Sequence, residues 1–162
     1  MTAKGAALIT RFETEFNDLL VKAYGSVERL EEQMLNSAAG LHVSIREIHL
    51  MQAVYNAGED CTISRLSLSQ GVSLPSVTAA VNKLCQKGYV EKRKSPADRR
   101  VVHVVLTKLG AKAVKAHRYF HTRMVQSVTR TLTGEEQQTM LKGVRKLNQF
   151  FNEKLHREEG TS

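Results

Sequence analysis

Apolar residues recur at spacings of three and four along most of the chain, and that rhythm predicts a mainly helical fold. Over residues 6–36, Leu8, Phe12, Phe16, Leu19, Ala23, Val27, Leu30 and Met34 form one stripe on a long first helix. Gly25 interrupts it at modest cost, and Gly40 marks its expected stop. Ser44 and Glu47 make a Ser-x-x-Glu capping pattern ahead of Ile48, Met51 and Tyr55. A second helix therefore runs from there to about Gly58. Thr62 can cap a short third helix reaching Gly71, with Ile63 and Leu66 inward and Leu68 a further inward candidate. Ser73 can cap a fourth, with Pro75 in its first turn, where a missing N–H is tolerated. Val77, Val81, Leu84 and Cys85 are its buried stripe, and Gly88 stops it.

The period then shortens. Residues 89–94 and 101–106 favour strand, the second through Val101, Val102, Val104 and Val105. The turn-rich stretch from Ser95 to Arg99 between them predicts a hairpin with a long basic tip. Thr107 then caps a long helix to about Leu132, with Val114, Phe120, Met124 and Val128 on its apolar side. Thr133 and Glu136 repeat the capping pattern. A last helix carries Met140, Val144, Leu147, Phe151 and Leu155, and Glu158 to Ser162 should fray. The expected fold is mainly α with a small β-hairpin. It divides into an N-terminal helix (1–40), a helix-turn-helix with a wing (41–110) and C-terminal helices (111–162), in one compact unit.

Two short helices joined at Gly71-Val72-Ser73, followed by a hairpin, give the order of a winged helix-turn-helix. The fourth helix has an apolar back and offers Ser76, Ala79, Asn82 and Lys83 on its opposite face, with Thr78 at the flank. Such side chains suit base edges in a major groove: Asn pairs with adenine, Lys with guanine, and small residues allow close approach. The hairpin adds Lys92, Arg93 and Lys94 on one strand and Arg99 and Arg100 near its tip. Arginine suits phosphate or a narrow minor groove. Asp98 is the lone acid of this run. It either pairs with Arg100 and orients the wing, or forms an Asx turn.

Charge sharpens this picture. The 162 residues carry a formal charge of +8. Residues 73–115 alone hold ten basic and two acidic residues, so the flanks cancel and the whole excess sits on the fourth helix, the hairpin and the next helix. A merely soluble surface mixes its signs. A polyanion is therefore the expected partner, and duplex DNA is favoured over RNA or non-specific binding. Tyr89 is the only aromatic in the basic segment, and it is expected in the core rather than as a stacking platform. No phosphate-binding glycine loop, His-Glu-x-x-His or nucleophile elbow is present, so an enzyme is not expected. No apolar run approaches the roughly 20 residues of a membrane span, and no signal peptide is recognisable, so a cytoplasmic setting is expected. Cys61 and Cys85 are read as inert core thiols, with a redox switch as the alternative.

Asp98-Arg99-Arg100, then Leu106-Thr107 and Gly110, resembles the wing-to-helix signature of MarR-family regulators. Leu84-x-x-x-Gly88-Tyr89-Val90 resembles that family too, and the likeness extends over nearly the whole chain. Within the family the chain is most similar to repressors of fatty-acid biosynthesis. This likeness rests on Ser44 to His49, Asp98 to His103, His117 to His121 with Met124-Val125, Thr133 to Glu136, Met140 to Gly143 and Gln149 to Phe151. The resemblance implies a homodimer reading a pseudo-palindromic operator. It also implies DNA binding enhanced by acyl-acyl-carrier-protein, with the acyl chain in an apolar pocket and with His117, Phe120 and His121 as pocket candidates. No cofactor is expected. His117 and His121, one helical turn apart, could together with His42 and His49 supply nitrogen ligands to zinc, with His42, His117 and His121 as the leading set. The alternatives are thus a MarR-type response to zinc, to a small hydrophobic molecule or to an oxidant.

Overall fold

The computed structural model describes residues 10–37, 41–96, 98 and 100–159. Six α-helices and one hairpin follow in order: α1 (Arg11–Ser37), α2 (Ile45–Ala57), α3 (Ile63–Gln70), α4 (Leu74–Gln86), β1 (Val90–Lys94), β2 (Val102–Leu106), α5 (Lys108–Thr129) and α6 (Gly134–Glu159). A single 3-10 turn, Gly58–Asp60, follows α2. The fold is the expected one, mainly helical with a two-stranded antiparallel wing. The chain divides into two compact units, one ending at Phe120 and one beginning at His121, with α5 continuous through the division. No helix among the described residues is long and apolar enough to cross a membrane.

Local chemistry sets the boundaries. Ser44 and Glu47 form the reciprocal capping box at α2, and Thr133 and Glu136 exchange the same two bonds ahead of α6. A third box was not anticipated. Thr10 N–H donates to Glu13 at 2.7 Å and Glu13 N–H to the Thr10 hydroxyl at 3.1 Å, which caps α1 at Arg11; residues 6–9 of the expected helix lie outside the described residues. Leu8 and Gly40 lie outside the described residues, as do residues 160–162 of the end expected to fray. The backbone of α6 remains helical through Glu159. α5 stops at Thr129, three residues short of expectation, because Thr131 and Leu132 switch to tight bonds three residues back.

The core lies in the first unit. Ile48, Met51 and Val54 of α2, Leu66 of α3, Val77, Val81 and Leu84 of α4, Tyr89, Val90, Val104 and Val114 are all buried. Leu68 is 85% exposed. It sits two residues, about 200° of helix, from Leu66, so the face that buries Leu66 turns Leu68 out. Cys85 is half-buried rather than enclosed, and Cys61 is fully buried. One pairing carries no periodic signal and escaped the sequence: Thr62 bridges His103, and Val104 N–H donates to the Cys61 carbonyl at 2.7 Å. The chain entering α3 thereby braces the inner strand of the wing.

Two glycines are required by geometry. Gly71 ends α3 at φ 59°, in the left-handed region that glycine enters without strain. It turns the chain into α4, and the Ser67 hydroxyl closes the turn on the Val72 carbonyl at 2.6 Å. Gly110 is buried in the first turn of α5, where a Cβ would collide with the Tyr89 carbonyl. Thr107 sits at the same joint. Its hydroxyl lies 2.7 Å from the Gly88 carbonyl and accepts the Gly110 N–H at 3.2 Å. The signature Thr107–Gly110 is therefore a close joint between wing and helix.

Candidate nucleic-acid interface

α4 presents two faces. Val77, Val81 and Leu84 are buried against α3 and β1, each side chain contributing about 1.5–3 kcal/mol by leaving water. Ser76, Ala79, Asn82 and Lys83 are exposed on the other face. Thr78 is half-buried, and its hydroxyl donates to the Leu74 carbonyl at 2.7 Å, so it is turned back onto its own helix. The Ser73 side chain caps α4 and shares a 2.8 Å hydrogen bond with the Ser76 hydroxyl.

The hairpin stands beside this face. Its register pairs Lys92 with Val104 and Lys94 with Val102. Side chains alternate along a strand, which puts Lys92 and Lys94 on one side and Glu91 and Arg93 on the other. Lys92 reaches back to α4 and donates to Asn82 Oδ1 at 2.6 Å. That oxygen keeps a second lone pair, and the bond fixes the amide with its NH₂ turned away from Lys92. Arg93 is held by Glu91 on the same side of β1. Lys94 and Arg100 are exposed. Arg99 lies outside the described residues.

Asp98 makes both kinds of contact weighed for it, the turn bond and the pairing with Arg100. Its Oδ1 accepts the Arg100 backbone N–H at 2.9 Å, and the carboxylate accepts the Arg100 guanidinium at 3.2 and 3.1 Å. The Arg100 side chain, and then its backbone N–H, hold the Asp98 carboxyl below the usual carboxylate range.

Lys83 is not simply presented to solvent. Its ammonium lies 3.1 Å from Glu47, a buried acid at the start of α2. Lys87 reaches the same carboxylate at 2.8 and 2.9 Å. Burial pushes the Glu47 carboxyl up, but the bonds from Lys87, the Ser44 backbone and Lys83 outweigh it and hold its pKa down at about 2. Neither partnership was visible in the sequence.

The His42 backbone N–H donates to the Tyr89 hydroxyl at 3.1 Å. His117 is buried on α5, with Nε2 3.4 Å from Glu31 of α1. His49 of α2 approaches the same Glu31 oxygen at 3.6 Å, its ring edge-on to His117. The first unit thus gathers Glu31, His49 and His117, not the expected His42. Phe120 is half-buried at the end of that unit, and His121 begins the second, one turn beyond His117 on α5. Burial pushes the Cys61 thiol up, which suits an inert core group.

Comparison with known proteins bears on this arrangement. The MarR family model matches residues 40–101, from the approach to α2 to the tip of the wing, ending just before β2. The chain is 28% identical over 130 residues to YwhA, an uncharacterised helix-turn-helix-type transcriptional regulator of Bacillus subtilis. The match covers 80% of this chain and 90% of that one. It is 34% identical to FabT of Streptococcus pneumoniae, solved in complex with DNA, with a TM-score of 0.82. That match covers 86% of this chain and 97% of FabT. MarR of E. coli, solved without ligand, gives 25% identity and a TM-score of 0.61 over 81% of this chain and 95% of that one. From its helix-turn-helix, its wing and its likeness to FabT over nearly the whole of that protein, this chain belongs to the MarR family.

Proposed function

We propose that the protein is a homodimeric transcriptional repressor that reads a pseudo-palindromic operator in fatty-acid-synthesis genes and binds it more tightly in the presence of acyl-acyl-carrier-protein. The observation that carries the DNA reading is the Lys92–Asn82 bond. It joins the exposed face of α4 to a cationic wing, so groove-entering and phosphate-reaching elements form one surface. Ser76, Ala79 and Asn82 are the base-facing candidates. Lys92, Arg93, Lys94 and Arg100 of the wing serve the backbone or minor groove, and Thr78 flanks them. The likeness to FabT, which was solved on DNA, supports the fatty-acid assignment. Exposed Phe12, Phe16, Leu19 and Leu30 on α1, and Met140, Val144, Phe151 and Leu155 on α6, support a second copy as the partner.

The test is titration of fatty-acid-synthesis promoter DNA and scrambled DNA, with and without long-chain acyl-acyl-carrier-protein. Selective binding, steeply weakened by salt and tightened by the acylated carrier, is the expected result. Selective binding without enhancement would remove the fatty-acid assignment and keep the regulator.

One observation favours a second reading, a response to zinc. The Glu31 oxygen lies 3.4 Å and 3.6 Å from two imidazole nitrogens. Those separations are long for charge-assisted hydrogen bonds, roughly 2.7–2.9 Å. They approach the roughly 3.4 Å edge of a tetrahedron whose bonds are about 2.0–2.1 Å. Absence of stoichiometric zinc after equilibration with the ion and dialysis would end that reading.

A further inference from the structure

At the foot of α4, four segments converge on one buried carboxylate. The Lys87 ammonium has three protons and three acceptors: both Glu47 oxygens at 2.9 and 2.8 Å, and the His42 carbonyl at 2.9 Å. The His42 N–H in turn donates to the Tyr89 hydroxyl at 3.1 Å. Glu47 also accepts the Ser44 N–H at 2.8 Å, completing the cap of α2, and Lys83 closes on it at 3.1 Å. The entry to α2, the start of α2, the end of α4 and the approach to β1 are thereby tied together.

A buried ion pair contributes little net stability compared with an apolar replacement, and its better-attested use is to fix one arrangement among several. α4 needs such fixing. Its apolar back holds it against the core, but apolar contact is non-directional and sets rotation about the helix axis only to within the width of the stripe. Glu47 supplies two directional contacts four residues apart, at Lys83 in the last turn of α4 and at Lys87, its C-cap, so the helix end is pinned along one line of its surface.

We infer that Glu47 is the positioning residue of the recognition helix, and that Lys83 and Lys87 serve chiefly to orient that helix rather than to neutralise phosphate. The inference rests on the DNA-binding reading above. It separates the cations of the basic segment by job. Lys94 at the wing is exposed to a backbone, whereas Lys87 is committed to Glu47 and His42.

The test uses the full-length protein and two duplexes. One is selected by the wild-type protein from random-sequence DNA; the other is its scrambled counterpart. Both are titrated at several salt concentrations. Glu47→Gln keeps the shape and the acceptor for the cap but removes the charge. It should bind the selected duplex about tenfold more weakly without weakened binding of the scrambled one, so the selectivity ratio falls by about that factor. Lys87→Met should do the same, and the double variant should be no worse than the poorer single one, since both break one network. The salt slope should not fall in either variant. Lys94→Met should instead weaken both duplexes and reduce the slope by about 0.9.

Equal weakening of both duplexes with a shallower slope would make these lysines phosphate contacts and overturn the inference. Unchanged selectivity would overturn it too. Loss of the folded state in both single variants, read by circular dichroism, would make the network a folding element and likewise overturn it. A wild-type protein that selects no duplex would instead sink the DNA reading itself.

Discussion

α1 and α4 carry the same kind of apolar stripe and treat it in opposite ways. On α4, Val77, Val81 and Leu84 are at most 3% exposed, whereas on α1 Phe12 is 74% and Leu19 58% exposed. The period is the same; the surroundings differ. α4 is flanked in sequence by α3 and β1, which close on it, while the first turns of α1 have no such neighbour among the described residues. A periodic pattern therefore reports that a face is to be covered, and says nothing about whether the same chain covers it. The difference separates a region folded by its own chain from one whose apolar surface is left uncovered, the face on which the proposed dimer rests.

The sharpest challenge to that contrast is a pair of truncations. Leu84→Ala should cost roughly 2–5 kcal/mol, because it opens a cavity in a closed core. Phe16→Ala should cost less than about 1 kcal/mol within one chain and act instead on association. Denaturant titration reads the first effect, and sedimentation over a range of concentrations reads the second. Equal losses of single-chain stability would erase the distinction.

The next challenge is acid. Glu47 titrates at about 2 in the folded chain against 4.5 for the ordinary group. A lowered folded value contributes stability that is complete above about pH 4.5 and lost as pH falls toward 2. The shift corresponds to about 3 kcal/mol at most. Hydrogen exchange between pH 6 and pH 3 should show the end of α4 loosening in the wild type. A Glu47→Gln variant should lack that dependence; an identical acid response in both would place the sensitivity elsewhere.

The smallest effect belongs to the outermost part of the same region. Asp98→Ala leaves the core untouched and should not move the melting temperature measurably. It should weaken DNA binding a few-fold by releasing Arg100. Unchanged affinity would mean that the tip needs no orientation.

The same contrast explains what was legible in the sequence. Caps at Ser44 and Thr133, the Gly71 turn and the Asp98–Arg100 pair involve residues two to five apart, so spacing alone displays them. The hairpin showed itself through its run of valines. The Glu47–Lys87 bond spans 40 residues and the Glu31–His117 contact 86, and no local pattern signals either. Lys83 was readable as a cation facing outward, but the acid that claims it comes from another helix. Leu68 misled because α3, eight residues long, has too few turns for a stripe to declare its side. The Thr10 box was there to be read, three residues ahead of Glu13, but the apolar stripe running through it hid the cap.

The joint at Gly110 has a mechanical consequence. No side chain separates the first turn of α5 from the Tyr89 backbone, and the Thr107 hydroxyl bolts the two together. The base of the wing therefore sits directly against α5, with no side chain as a spacer between them. Five strand residues give the wing a length of roughly 17 Å. A rotation of only about 5° at its base would carry the cationic tip through roughly 1.5 Å, about half a hydrogen-bond length. The braces that reach the wing from the Cys61 carbonyl and from Asn82, together with the missing side chain at residue 110, hold the tip against such a rotation.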